Sequence, residues 1–289
     1  MKHFSNLAFL ILLIVLPLGC TFIAPMAVPN RTETEPRTFS HEGFDKVLQR
    51  FVNDRGEVDY AALKKDVQEL DRYYLLLAAY SPDSHPHLFP SEQSALAYWI
   101  NAYNAVAIKI VLTYYPILSV EDVKAPWLFF FLPKKSGFFL FQRVSLGGKV
   151  TSLYAIENQI IRKRFPDPRI HFALNCASHG CPRLPRRAFT AENLDSELDR
   201  ETRLFLAENR NFTIDDQEGI AYLSSIFDWY QKDFLSWYQT RFPSKRATLL
   251  NYVMLYLSHP KAEKVKRVPP YQIRFIPYDW QLNDQAASS

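Results

Sequence analysis

Between Gly43 and Phe51 the apolar residues Phe44, Val47, Leu48 and Phe51 recur at intervals of three and four, the spacing of a helix that packs one face on a core. Asn53-Asp54-Arg55-Gly56 interrupts this pattern, and Asp59 is placed to cap a second helix running to about Ala79. A loop bearing Pro82, Pro86 and Pro90 leads to Ser91 and Ser94, which open a helix that stays apolar to about Tyr114 and ends at Pro116. Because it is apolar on nearly every side, this helix is expected at the centre of the fold. From Pro116 to Gly148 the pattern is irregular, with Pro126, Pro133 and aromatic clusters at Leu128 to Phe131 and Phe138 to Phe141. It predicts loops and short strands whose aromatics fill a core.

Farther on, Ser152 caps a helix carrying Leu153, Ile156, Ile160 and Ile161, and Asp167-Pro168 makes a turn. Ile170 to Asn175 reads as a short buried strand. A helix from Thr190 to about Ala207, a hairpin (Phe212 to Asp215, Gly219 to Leu223), a helix from Ser224 or Ser225 to Tyr238, another over Lys245 to Leu257, and a last strand from Gln272 to Ile276 complete the pattern. The fold class is α+β (mixed α/β), a helix-rich single domain over residues 41–284 with a small central sheet, ending in a disordered tail at 285–289.

The chain opens differently. Lys2 and His3 precede an apolar run from Leu7 to Leu18, too short to span a bilayer comfortably and laid out as an export signal. Leu16-Pro17-Leu18-Gly19-Cys20 resembles a bacterial lipobox, with Pro17 where Leu is usual, and predicts acylation of Cys20. A plain signal peptide cut elsewhere is the alternative. Residues 21–40, with Pro25, Pro29, Glu33, Glu35 and Pro36, read as a flexible linker. The expected location is the cell membrane or outer membrane, lipid-anchored and facing the periplasm or exterior. Thr21 in place of the aspartate that marks inner-membrane retention favours the outer membrane. No other segment reads as long and apolar enough to cross a membrane. A net charge of +4 with no basic stripe gives no sign of nucleic acid as a partner.

If Cys20 carries lipid, only Cys176 and Cys181 remain of the three cysteines, and they lie in the segment richest in chemistry. Arg169-Ile170-His171-Phe172-Ala173-Leu174-Asn175-Cys176-Ala177-Ser178-His179-Gly180-Cys181-Pro182 delivers two cysteines, two histidines and an asparagine to one place. Three readings stand side by side. Cys176 is a nucleophile activated by His171 or His179, since the thiolate rather than the thiol attacks. Alternatively Cys176 and Cys181 form a structural disulfide, which extracytoplasmic conditions favour. Finally, Cys176, His179, Cys181 and His171 bind zinc, although the spacing matches no known finger. Strand alternation would put His171 and Cys176 on opposite faces unless the strand ends between them.

Asn101 and Asn104 share a face of the apolar helix, where unpartnered amides are costly, so each orients a catalytic histidine or ties down a neighbouring backbone. Glu157, in mid-helix, is placed to pair with Arg162 or Arg169, or to hold a ring nitrogen of His171.

Trp99-Ile100-Asn101-Ala102-Tyr103-Asn104, the helix start Leu153 to Glu157, the 169–182 segment, Ser225-Ile226-Phe227 with Trp229-Tyr230 and Asp233-Phe234, and Tyr278-Asp279-Trp280-Gln281-Leu282-Asn283 together resemble the family called domain of unknown function 547. The resemblance runs from about Phe44 to Asn283. It implies a fold and a set of recurring positions, carried here by Asn101, Glu157, His171, Cys176 and Cys181, without an agreed reaction. Its occurrence in membrane-attached bacterial proteins and in plant proteins with coiled-coil extensions leaves an interaction role open. The His and Cys constellation beside buried polar residues leads to the expectation of a cysteine-dependent hydrolase or transferase of the cell envelope, acting on an acyl or peptide-type bond of an envelope substrate. The rival is a binding or assembly module with a structural Cys176-Cys181 pair.

Overall fold

The computed structural model describes residues 21–23, 37–267 and 271–287. The expected export signal, the lipobox-like stretch with Cys20, most of the expected linker, residues 268–270 and the last two residues lie outside the described residues.

The N-terminal helices are α1 (Glu42–Phe51), α2 (Tyr60–Lys65) and α3 (Gln68–Ala79). Phe44, Val47, Leu48 and Phe51 of α1 are buried, as their spacing requires. Asp59 caps α2 by accepting from the Ala62 N–H at 2.8 Å, and the stretch expected as one helix is broken between Lys65 and Gln68. The long helix α4 (Glu92–Tyr114) starts at a reciprocal Ser91/Ser94 capping box and is buried over nearly its whole circumference. By length and composition α4 could cross a membrane, contrary to the expectation that only the N-terminal run comes near doing so; here it is the central core helix.

After the short α5 (Ser136–Phe139), strands β2 (Gln142–Leu146) and β3 (Lys149–Thr151) form a hairpin. Gly147 and Gly148 make its two-residue turn at φ +55° and +78°, a backbone that side chains with a Cβ rarely adopt. β1 (Thr21–Phe22) adds parallel to β2, so the chain is ordered where the linker was expected to begin. Ile23 is buried, and its carbonyl accepts from the Tyr74 hydroxyl at 2.8 Å.

The next helix, α6 (153–164), contains a π-helical turn at Ile156–Ile161. Ile170 to Asn175 is not a strand. Asp167 accepts from the Arg169 N–H at 2.9 Å and winds Pro168–Phe172 into a 3₁₀ turn, after which the chain runs irregularly to Pro182.

The remaining elements are α7 (Leu194–Ala207), the hairpin of β4 (Phe212–Asp215) and β5 (Ile220–Ser224), α8 (Ser225–Trp229), α9 (Gln231–Arg241), α10 (Leu249–Met254), α11 (His259–Arg267) and β6 (Gln272–Ile276). β6 lies parallel to β5, so among the described residues the strand content is split between two three-stranded sheets. The expected helix over 225–238 breaks at Tyr230, and Gln285–Ala287 forms a 3₁₀ turn anchored by Gln285 on the Phe51 and Glu57 carbonyls rather than a loose tail.

Buried apolar residues form two clusters, a larger one around α4 and a second one formed by α7 to α10 with β4 and β5. The 3₁₀ turn straddles them: Ile170 belongs to the first and Phe172 to the second. His171 is therefore held at the seam.

Candidate active site at the seam of the two clusters

A cavity of about 470 Å³ opens at this seam, lined by Tyr103 of α4, Glu157 and Arg162 of α6, His171, Cys176, Cys181, Tyr230 and Tyr278, with Lys135, Trp229 and Trp280 at its wall. The turn that replaces the expected strand removes the two-face alternation. His171 and Cys176 consequently line the same cavity.

Two buried amides fix this backbone. Asn104 accepts from the Asn175 N–H at 2.8 Å and donates to the Ala173 carbonyl at 2.9 Å, clamping the residues just before Cys176. Asn101 makes the same pair of bonds with Phe189, donating at 2.7 Å and accepting at 3.0 Å. Asn101 thus ties down a neighbouring loop and is not among the cavity residues. It does not orient the histidine.

Asp233 of α9 takes that part. Its Oδ2 accepts from His171 Nε2 at 2.9 Å, and both its oxygens accept from Arg162, at 2.7 and 3.0 Å. Burial alone would raise the Asp233 carboxyl, but the hydrogen bonds from His171 and Arg162 outweigh it and hold the group well below the usual carboxylate range. An ionised Asp233 can only accept, so the proton sits on Nε2 and Nδ1 is the basic nitrogen. Burial depresses the imidazole, with the Asp233 bond opposing, and keeps it neutral. The ring stacks on Tyr230 with centroids 3.9 Å apart.

Glu157 pairs with neither Arg162, Arg169 nor His171. It accepts from the hydroxyls of Tyr230 and, at 3.4 Å, Tyr103. Burial raises both phenols, which keeps their protons in place as donors. The π-helical turn widens α6 where Glu157 faces this pair, a recurrent feature of functional helices. Arg169 instead pairs with Asp167, Asp195 and Asp199.

Cys176 and Cys181 are joined by a disulfide, their Cα atoms 6.2 Å apart. Ala177, between them, has φ +63°, so the loop turns sharply. The Tyr278 hydroxyl lies 3.1 Å from Cys176 Sγ and 3.0 Å from Cys181 Sγ, and Ser178 Oγ is 3.1 Å from Cys176 Sγ. His179 points elsewhere, lining an adjacent cavity of about 860 Å³. The four proposed zinc ligands are not brought together, and among the described residues no group of His, Cys, Asp or Glu is arranged to hold a metal ion.

The structure thus unites His171, Glu157, Cys176 and Cys181, leaves out Asn101, and adds Asp233, Arg162, Tyr103, Tyr230 and Tyr278. Tyr230, Asp233 and Tyr278 stand within motifs of the family resemblance, which was the available signal for them; no local pattern pairs Asp233 with a histidine 62 positions away. Comparison with curated proteins and with solved structures gives no match. Residues 89–206 match the family model described as "Protein of unknown function, DUF547", and this DUF547 segment of the chain carries Asn101, Glu157, His171, Cys176 and Cys181.

Proposed function

We propose that the protein is a lipid-anchored cell-envelope enzyme that uses Cys176 as a thiol nucleophile on an acyl or peptide-type bond. What supports this reading most is that Cys176 and a neutral imidazole oriented by an ionised carboxylate line one cavity. In the bridged state the sulfur is latent. A dithiol reductant exchanges with the bridge, leaves as its own disulfide, and frees both cysteine thiols. His171 Nδ1 then takes the Cys176 proton, the thiolate attacks the carbonyl carbon, and the imidazolium returns the proton to the leaving group. Asp233 orients the ring and stabilises its positive charge, as the third member of such a triad does. Water releases the acyl group by the same path. The anchor rests on the lipobox-like Leu16 to Cys20.

The second reading is a binding module in which the bridge stays closed. The contacts of Tyr278 and Ser178 on the sulfurs favour it, because they stabilise the closed loop. Alkylation of the full chain by iodoacetamide, with and without dithiothreitol, separates the two. The enzyme reading expects Cys176, once reduced, to react at pH 7 faster than a free cysteine, and at least tenfold more slowly in His171→Ala and Asp233→Asn. A bridge that resists reduction in the folded protein, or a Cys176 whose reactivity ignores both substitutions, removes it and leaves the binding module.

A further inference from the structure

The aromatic run that the sequence assigned to a core is on the surface. Trp127 is 80% exposed, Phe130 86% and Phe131 69%, with Leu128 and Phe129 exposed beside them. It is not a frayed strand. Phe129 N–H donates to the Pro126 carbonyl at 2.8 Å and Leu132 N–H to the Phe129 carbonyl at 3.0 Å, so ordered turns push the rings outward. Contiguous aromatics on a water-facing turn are costly unless something apolar covers them.

We propose that this turn docks on a lipid bilayer, with Trp127, Phe130 and Phe131 seated among the headgroups and upper acyl chains. The place where the chain enters the fold chooses this occupant. Thr21 pairs with Gln142, and its N–H donates to the Phe141 carbonyl at 3.1 Å. The Phe141 ring in turn packs on Phe129 with centroids 4.8 Å apart. Cys20 is the residue covalently bonded to Thr21, so a lipid on it would leave the fold at this point. Lipid on Cys20 and the exposed rings would therefore share one face of the molecule. The acyl chains of a lipobox-type anchor would hold this face of the molecule at the bilayer, where the exposed rings then meet the lipid surface. Trp127 at the start of the run and exposed Lys134 after it suit the interface, where an indole and an ammonium both find polar partners. The same turn continues into Leu132, Pro133 and Lys135, which line the cavity of Cys176 and His171. Docking brings the mouth of that cavity to the lipid surface.

The inference rests on the proposed anchor at Cys20, and its test keeps the two apart. Full chain is reconstituted in vesicles of phosphatidylethanolamine and phosphatidylglycerol, a share of them brominated on the acyl chains. Tryptophan emission is recorded for the wild type, Trp127→Phe, and the double variant Phe130→Ser, Phe131→Ser. The N-terminal peptide of the same samples is weighed to detect acylation of Cys20. Docking expects the bromolipid to quench a component of the emission that is absent in Trp127→Phe and falls at least twofold in the double variant. Acylated Cys20 with an unquenched Trp127 overturns docking and leaves the anchor standing. Unmodified Cys20 with a quenched Trp127 supports docking and removes the anchor. A sedimenting dimer in which Trp127 is shielded and unquenched overturns docking in favour of a second copy of the chain.

Discussion

The two asparagines of α4 have the same chemistry and different duties. Each closes a pair of hydrogen bonds with buried backbone, but Asn104 holds the approach to Cys176 and Asn101 holds Phe189. Replacing Asn101 by alanine leaves a buried N–H and C=O without partners, a loss of about 2 to 4 kcal/mol in urea unfolding. The alkylation rate of reduced Cys176 in the folded variant should stay at the wild-type value. A slowed rate would return Asn101 to the site. Buried histidines supply a pH dependence of definite sign. Burial lowers His41 from 6.5 to about 4, with the charge of Glu192 opposing, and its Nδ1 lies 2.8 Å from the Tyr73 hydroxyl. The unfolded chain therefore takes up this proton first on acidification. The stability it contributes is full above pH 6.5 and is lost as pH falls from there towards 4. Allowing for partial solvent contact, that loss is on the order of 2 kcal/mol. Urea midpoints between pH 7 and pH 4 should fall for the wild type and fall less steeply for His41→Gln, the buried His171 and, towards pH 4, the depressed Asp233 adding to the slope that remains.

Among the elements, those with local causes were legible in the sequence. The three-and-four spacing of α1, the Ser91 cap and apolar length of α4, the β4/β5 hairpin and β6 all stand where their residues place them. Segments shaped by distant partners were not legible. Ile170 to Asn175 has the composition of a strand, yet the Asp167 cap and the Asn104 clamp satisfy its backbone without a neighbouring strand. The rings at 127–131 have the composition of a core, yet the turn carries them outward. For the site, the residues of one segment could be read, but Asp233 arrives from α9 and Tyr278 from beyond β6. Two substitutions test these local causes. Ser91→Ala removes the α4 cap and should cost about 1 kcal/mol in urea unfolding. Gly137→Ala should cost more, because an added Cβ on α5 collides with the Val123 carbonyl oxygen and the backbone beyond it. Equal costs would mean that α5 can shift away freely.

At the scale of the whole molecule, the two apolar clusters meet along a seam stitched by ion pairs, from exposed to fully enclosed. Arg169 of the 3₁₀ turn binds Asp195 and Asp199 of α7, Arg162 of α6 binds Asp233 of α9, and Arg183 binds Glu201 of α7 through two bonds of 2.7 and 2.9 Å. Glu201 is the most enclosed of these carboxylates, its side chain 1% exposed. Arg200 reaches the same group at 3.1 Å from a half-exposed position. Taking Arg183 away leaves a charge inside the protein with only that peripheral partner, whereas removing both ends of the pair leaves no charge to solvate. Arg183→Met should accordingly lose about 3 to 5 kcal/mol of stability, and adding Glu201→Leu should restore most of it. The cycle is read from urea unfolding followed both by far-UV circular dichroism and by Trp237 fluorescence from α9. If the seam couples the clusters, the two signals coincide in the wild type and separate in Arg183→Met, since the second cluster then opens before the first. A single coincident transition in Arg183→Met with a loss below about 1 kcal/mol would show that apolar packing across the 3₁₀ turn, with Ile170 on one side and Phe172 on the other, carries the coupling without the ions.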